Sequence, residues 1–194
     1  MPNFKLIIGV VGPLGSGKSI LVDYLVGNGF AAFRFSDVIV KIGDLKNSSR
    51  KDYQDWGDRL RKKYGTDFLA REIWKKIEKL RSEKYIIDGF RNIGEVEFFG
   101  KKKGFYLISL NSTRKIRFER LKKRGSSKDP KSWDEFMKME RRDLGEKEFW
   151  GQQNKTVMKL ADIKIKNNSS IKELHSKIDS VLKSLYEFSR KNSG

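Results

Sequence analysis

A three-layer α/β fold, with about five parallel strands and helices on both faces, is predicted by three features of this sequence. Short continuous apolar runs alternate with amphipathic segments along the chain. That alternation implies right-handed crossovers and a sheet buried on both faces. The first apolar run, Phe4 to Val11, leads directly into Gly12-Pro13-Leu14-Gly15-Ser16-Gly17-Lys18-Ser19, a complete G-x-x-x-x-G-K-[ST] phosphate-binding loop. After the loop, Ile20, Leu21, Tyr24 and Leu25 recur at helical spacing, which completes the strand, loop and helix context that this motif requires.

The remaining elements follow in order. Ala31 to Phe35 reads as a second strand delivering Ser36 and Asp37 to the sheet edge, and Gly43 to Asp52 as a polar loop. Tyr53 to Tyr64 and Thr66 to Arg81 read as helices, the second with Leu69, Ile73, Ile77 and Leu80 on one face. Tyr85 to Asp88 is a third strand, and a helix runs through Glu95 to Phe99. Phe105 to Leu110 is a fourth strand, before a basic helix from Ser112 to Arg124 closed by Gly125. Trp133 to Leu144 and Phe149 to Leu160 read as helices and Asp162 to Ile165 as a fifth strand. The last helix carries Ile171, Leu174, Ile178, Val181, Leu182 and Leu185 on one stripe. A single domain is expected over 1–188, with a short helical lid at about 125–145 and a flexible tail at 189–194.

Composition narrows the function classes. The 194 residues include no cysteine and one histidine, which excludes a disulfide framework and a thiolate metal site and argues against a histidine zinc site. His175 has no second ligand nearby in sequence and reads as a surface or half-buried side chain. No apolar run approaches the roughly 18 residues that span a bilayer, so a cytoplasmic protein without a membrane partner is expected. The net charge is +18, from 43 Lys+Arg against 25 Asp+Glu. Such an excess favours anionic partners, nucleotides or nucleic acid. The basic residues are interleaved with acids, as in Lys75-Lys76-Ile77-Glu78-Lys79, so solvated helix faces account for most of them.

The loop sets the chemistry. Glycines at its fixed positions let backbone N–H groups close on a polyphosphate without a Cβ in the way. Gly12, Pro13, Leu14, Gly15, Ser16, Gly17, Lys18, Ser19 and Ile20 are therefore expected to bind ATP, or GTP, with Lys18 at the β/γ-phosphates and Ser19 on Mg²⁺. The helix that opens at about Gly17 adds its N-terminal partial charge. Asp37, Asp88 and Arg91 fall at carboxyl ends of strands, where such sheets bind ligands. Asp88 suits an acidic group that holds Mg²⁺ directly or through water; its other reading is a simple Asp-Gly turn. Arg91 suits a bidentate clamp on an acceptor phosphate, or a surface ion pair. Arg117, Arg120 and Arg124 are offset by three and four residues, which puts them on one side of the basic helix, facing a triphosphate or solvent. Arg141 and Arg142 stand at the end of the expected lid.

The run Ile86-Ile87-Asp88-Gly89-Phe90-Arg91 resembles the acceptor-binding segment of the P-loop nucleoside monophosphate kinase superfamily. The segments Asp88 to Phe98, Arg117 to Gly125, Asp129 to Phe136 and Arg141 to Gly145 are similar, in this order, to adenylate-kinase-related and deoxynucleotide-monophosphate-kinase-like proteins, and the likeness extends to about Leu182. The resemblance implies the P-loop NTPase fold and Mg²⁺- and ATP-dependent phosphorylation of a nucleoside or deoxynucleoside monophosphate. It also implies that Arg120 and Arg124 contact the donor base and phosphates, and that Arg141 or Arg142 is a lid arginine. One position departs from the pattern: Val40, with Lys41 beside it, stands where related kinases carry an acceptor-side arginine. Some relatives join such a domain to a deaminase, but this chain has no cysteine and no H-x-E for the zinc site of those enzymes. Two other functions stay open: a small-metabolite kinase resembling dephospho-coenzyme A kinase, with Asp37 as base towards a hydroxyl rather than a helix cap after the second strand, and a nucleotide-dependent regulatory switch or nucleic-acid-binding P-loop protein.

Overall fold

Strand β1 (Leu6–Val11) is buried along its whole length and forms the centre of the sheet. The computed structural model describes residues 5–45, 48–145 and 148–191. Strands β3 (Lys84–Asp88) and β4 (Phe105–Asn111) pair with β1, and β2 (Ala31–Arg34) and β5 (Ile163–Lys166) form the edges. The order is β2-β3-β1-β4-β5 and every pairing is parallel. This is the expected doubly covered parallel sheet.

Alternate β1 side chains serve opposite layers because successive residues of a strand point to opposite faces. Leu6, Ile8 and Val10 join Leu21 and Leu25 of α1 (Lys18–Gly27) and Leu174 and Ile178 of α9 (Ile171–Lys191). Ile7 and Val11 join the other core. That core is built from α2 (Phe35–Gly43), α3 (Arg50–Tyr64), α4 (Phe68–Lys79), α5 (Ile93–Gly100) and α8 (Asn154–Lys159). Each fully buried Leu, Ile or Phe here contributes about 1.5–3 kcal/mol. Gly9 leaves room for Phe90, whose Cε2 would stand 2.7 Å from a Cβ at that position. A third cluster, Leu14, Leu121 and Phe136, ties the loop after β1 to α6 (Arg114–Arg124) and α7 (Trp133–Leu144). The chain leaves β1 towards the β2 edge and leaves β3 towards the β4 edge, so a crevice opens between their carboxyl ends.

Four sequence expectations need correction. The second strand ends at Arg34, and Phe35, Ser36 and Asp37 belong to α2, whose apolar face (Phe35, Val38, Ile39) is buried. The polar loop is shorter than expected: α3 starts at Arg50, because Ser49 and Asp52 form a reciprocal capping box. Only Asn154–Lys159 of the expected Phe149 to Leu160 helix is helical. Upstream, the Phe149 and Gly151 carbonyls accept from Asn92 Nδ2 (2.7 and 2.9 Å) and the Gln153 N–H donates to Arg91 O (2.6 Å). Those backbone groups are committed to the turn after β3. Finally, two apolar positions leave the stripes expected of them: Ile171 of α9 is 56% exposed, and Leu80, which follows the end of α4, is 45% exposed.

Candidate functional site

The loop Gly12 to Ser19 crosses from β1 to α1 and is shaped by its own glycines and by neighbours on three sides. Gly15 and Gly17 have φ of +77° and +100°, a left-handed region that side chains strain to enter. A Cβ at Gly12 would lie 2.2 Å from the Leu110 carbonyl oxygen. Lys18 Nζ donates to the Gly12 and Pro13 carbonyls at 2.7 and 3.1 Å, which curls its chain back across the loop. Ser16 Oγ is buried without a partner. The N-terminus of α1 has no side-chain cap, so its first N–H groups suit an anion.

Asn167, just past β5, supports this loop from behind. Its Nδ2 donates to the Ser16 carbonyl at 2.9 Å, and its own N–H donates to Asn111 O at 2.7 Å. The C=O and N–H of a trans peptide point in opposite directions. Holding the Ser16 carbonyl therefore turns the Gly17 N–H away from Asn167 and makes it available to an anion held by the loop. Asn167→Ala is expected to weaken triphosphate binding about tenfold, the effect of about 1–3 kcal/mol for an unsatisfied buried carbonyl. Asn167→Asp, which sets a carboxylate against that carbonyl, should weaken it further. Calorimetric titration checks this, and equal affinities in all three proteins would show that the peptide needs no such tether.

Two cavities open from the crevice. The wider, about 660 Å³, is lined by the loop from Leu14 to Ile20, by Arg120 and Arg124, and by the segment Asn167 to Leu174. The narrower, about 220 Å³, is lined by Phe35, Ser36 and Ile39 of α2, by Arg50, Tyr53, Gln54, Gly57 and Arg61 of α3, and by Gln152. Lys18, Arg50, Asp88 and Arg91 line both. These four charged side chains mark the junction.

The junction is held by a carboxylate from α7. Asp143 is fully buried; Oδ2 accepts from Arg50 Nη2 at 2.5 Å and lies 3.9 Å from Arg91 Nη1, while Oδ1 accepts from Gln54 Nε2 at 2.8 Å. Burial raises the Asp143 pKa, but the Arg91, Arg50 and Lys18 charges outweigh it and hold the carboxyl below its ordinary value. Burial lowers the Lys18 ammonium to about 8; Arg91 and Arg50 act in the same direction, against Asp88 and Asp143. Asp88 Oδ1 and Arg91 Nη1 are buried without hydrogen-bond partners. Ser19 and Asp88 both line the wide cavity and offer oxygens of the kind that hard divalent cations take. Among the described residues, no group of three or more acidic, histidine or cysteine side chains gathers as a metal site.

The other residues singled out from sequence divide. Arg120 lines the wide cavity, where its guanidinium donates to Ser112 Oγ at 2.9 Å and to the Ser169 carbonyl at 3.2 Å. Arg124 lines it too while chelating Asp129, with Nε 2.7 Å from Oδ2. Arg117 does not share their face: it is buried against Glu140 and donates to the Ser112 and Leu14 carbonyls at 3.0 and 3.1 Å. It braces the phosphate loop. Arg141 is exposed, donates to the Met137 carbonyl and lines neither cavity. Arg142 pairs with Asp55 of α3. Asp37 is exposed and lines neither cavity, and Val40 and Lys41 also lie outside them. His175 stacks on Tyr24 with ring centroids 3.9 Å apart. Sequence reasoning missed Arg50, Gln54, Asp143 and Asn167. A signal for Asp143 existed: Phe136, Glu140 and Asp143 are offset by four and three, which puts two acids on the buried face of an amphipathic helix.

A family model described as an AAA domain, AAA_18, matches residues 8–145, which takes in the loop, Asp88, Arg91 and Asp143. A UPF0200 protein of Methanothermobacter thermautotrophicus is 33% identical over 97% of this chain and 95% of its own. The chain belongs to the UPF0200 family and carries an AAA_18 domain. Another UPF0200 protein, from Staphylothermus marinus, is 34% identical over 96% of each chain. Among solved structures, this UPF0200 chain is similar to the shikimate kinase of Bacteroides thetaiotaomicron, with TM-score 0.60, 14% identity, and 92% of this chain and 98% of that one covered. It is also similar to a gluconokinase of Sinorhizobium meliloti, with TM-score 0.54, 14% identity, and 98% and 99% covered. At these identities the likeness is one of fold, a P-loop kinase-like fold. Among the described residues of this UPF0200 chain, no helix is long and apolar enough to cross a membrane.

Proposed function

We propose that this protein transfers the terminal phosphoryl group of ATP, or GTP, to a nucleoside or deoxynucleoside monophosphate. The observation that carries the reading is the pair of cavities meeting at Lys18, Arg50, Asp88 and Arg91. Phosphoryl transfer asks a protein mainly to align donor and acceptor and to neutralise the charge that develops between them. In this reading the wide cavity takes the donor, with its polyphosphate along Gly12 to Ser19 and its base towards Arg120, Arg124 and the segment after β5. The narrow cavity takes the acceptor, with its phosphate against Arg50 and Arg91 and its base against the apolar surfaces of Phe35, Ile39 and Tyr53.

An oxygen of the acceptor phosphate attacks the γ-phosphorus, the bond from that phosphorus to the β,γ-bridging oxygen breaks, and the electron pair leaves with the nucleoside diphosphate. The attacking oxygen is already anionic, so no strong base is needed. Lys18 holds the β- and γ-phosphates, and Arg50 and Arg91 offset charge on the acceptor side. Arg120 and Arg124 hold the donor, and Arg141 joins the site only through a movement of α7. Ser19 and Asp88 would hold Mg²⁺, which when bound supplies charge neutralisation between the phosphates. Arg50 and Arg91, two of the four cationic side chains that line the acceptor cavity, favour a phosphate acceptor over a hydroxyl one. The alternative base Asp37 lies off both cavities, which counts against the dephospho-coenzyme A kinase-like reading.

A coupled assay over a panel of nucleoside and deoxynucleoside monophosphates, with dephospho-coenzyme A and shikimate as hydroxyl acceptors, tests the proposal. Transfer to at least one monophosphate is expected, and Asp88→Asn should lower kcat about 10²-fold or more while metal-free ATP binding persists. Transfer to hydroxyl acceptors alone would overturn the acceptor assignment. Transfer to none would overturn the kinase reading.

A further inference from the structure

The function proposed above uses only the inner face of α3, where Tyr53, Gln54, Gly57 and Arg61 line the acceptor cavity. The outer face has a different composition. Arg59, Lys62 and Lys63 are exposed there, and their offsets of three and four put them on one side of the helix. The acids of α3 are engaged elsewhere: Asp52 caps Ser49, Asp55 pairs with Arg142 and Asp58 pairs with Arg61. Among the described residues the three outer cations therefore have no carboxylate partner. They lie over aromatic rings instead. Lys62 Nζ is 4.7 Å from the Trp150 ring centroid, Lys63 Nζ 5.0 Å from that of Tyr64, and the Arg59 guanidinium 5.8 Å from that of Trp56.

Two of the rings beside this strip face water. Phe149, edge-on to Trp150 with centroids 4.8 Å apart, is 67% exposed, and Tyr64 is 46% exposed. Exposed rings beside cations that have no carboxylate partner among the described residues suit a ligand that presents flat apolar faces and a chain of negative charge together. A duplex keeps its base faces stacked inside, and an acidic peptide has no base faces to offer. We propose that the outer face of α3, with Phe149 at its edge, binds single-stranded nucleic acid: phosphates on Arg59, Lys62 and Lys63, and a base on the exposed Phe149 ring. The net charge of +18 acts in the same direction by drawing any polyanion to the surface.

Fluorescence anisotropy of a labelled oligouridylate and oligothymidylate at low salt tests this, with wild type, Phe149→Ala and the double variant Lys62→Glu/Lys63→Glu. The same-sequence duplex, inorganic polyphosphate and phosphatidylserine vesicles serve as competitors. Wild type should bind the single strands with quenching of tryptophan fluorescence, and the duplex and polyphosphate should compete weakly. Phe149→Ala should weaken single-strand binding about tenfold and leave polyphosphate binding unchanged. The charge reversal should lower the log–log salt slope by about 1.4, the increment for two phosphates on a single strand. Calorimetric ATP binding should be the same in all three proteins, which separates this surface from the nucleotide site. Absence of oligonucleotide binding, an unaltered affinity in Phe149→Ala, full competition by polyphosphate, or binding to vesicles alone would each overturn the proposal.

Discussion

Lys18→Met is expected to abolish measurable phosphoryl transfer, with kcat lower by about 10²–10³-fold or more, as for loss of other preorganised charge donors. The side chain already lies across the loop, held by the Gly12 and Pro13 carbonyls, so its charge is in position before any phosphate arrives. Its pKa of about 8 adds a pH signature. A polyanion stabilises the ammonium and raises that value, so triphosphate binding should take up a proton between pH 8 and the raised value of the complex. Wild-type affinity should accordingly fall as pH rises through about 8, because the neutral amine attracts no phosphate. Calorimetry in buffers of different ionisation enthalpy measures the proton uptake. Lys18→Met should lose both the uptake and the slope, and a variant that kept them would assign the titration to another group.

Asp143→Ala should cost both stability and acceptor binding. It removes the buried carboxylate that pairs with Arg50, faces Arg91 and accepts from Gln54. Breaking one side of a buried ion pair costs about 3–5 kcal/mol. Arg50 is partly open to solvent, which favours the lower end, near 3 kcal/mol and about 6–12 °C in Tm for a chain of this size. Asp143→Asn keeps the shape and should retain part of the stability, yet KM for the acceptor should rise in both variants because Arg50 and Arg91 lose their common anchor. The wild-type carboxyl sits below its ordinary value, so its contribution is complete above the unfolded pKa of about 3.9 and is lost as pH falls through the folded value. Thermal melts between neutral pH and pH 3 check this: the gap between wild type and Asp143→Ala should close towards the acid end. A gap that stayed constant would mean that packing, not charge, holds the junction.

The phosphate-loop half of the candidate site was legible in the sequence because it is local. Eight consecutive residues, Gly12 to Ser19, specify their own backbone path, and Asp88 and Arg91 follow an apolar strand whose carboxyl end fixes their position. The half around the narrow cavity is assembled from distant segments. Arg50, Gln54 and Asp143 meet only because α3 and α7 converge over the crevice, and no spacing within either helix encodes that meeting. Arg117 shows the converse error: its offset from Arg120 and Arg124 suggested a shared face, but the Glu140 carboxylate across from α6 draws it inward. The missed α2 has a similar cause. Ala31 to Ile39 is apolar at almost every second or third position, so strand and helix periods are hard to separate until Phe35, Val38 and Ile39 are seen against the core.

The ties along α7 bear on how the cap over the crevice can move. Glu140 is bonded to Arg114 and Arg117 of α6, while Arg142 and Asp143 are bonded to Asp55 and Arg50 of α3. A flap swinging alone on hinges at its two ends would strand two buried acids, Glu140 and Asp143, at several kcal/mol apiece. Any displacement of α7 therefore carries α3 and α6 with it, as a slab that tilts about the sheet.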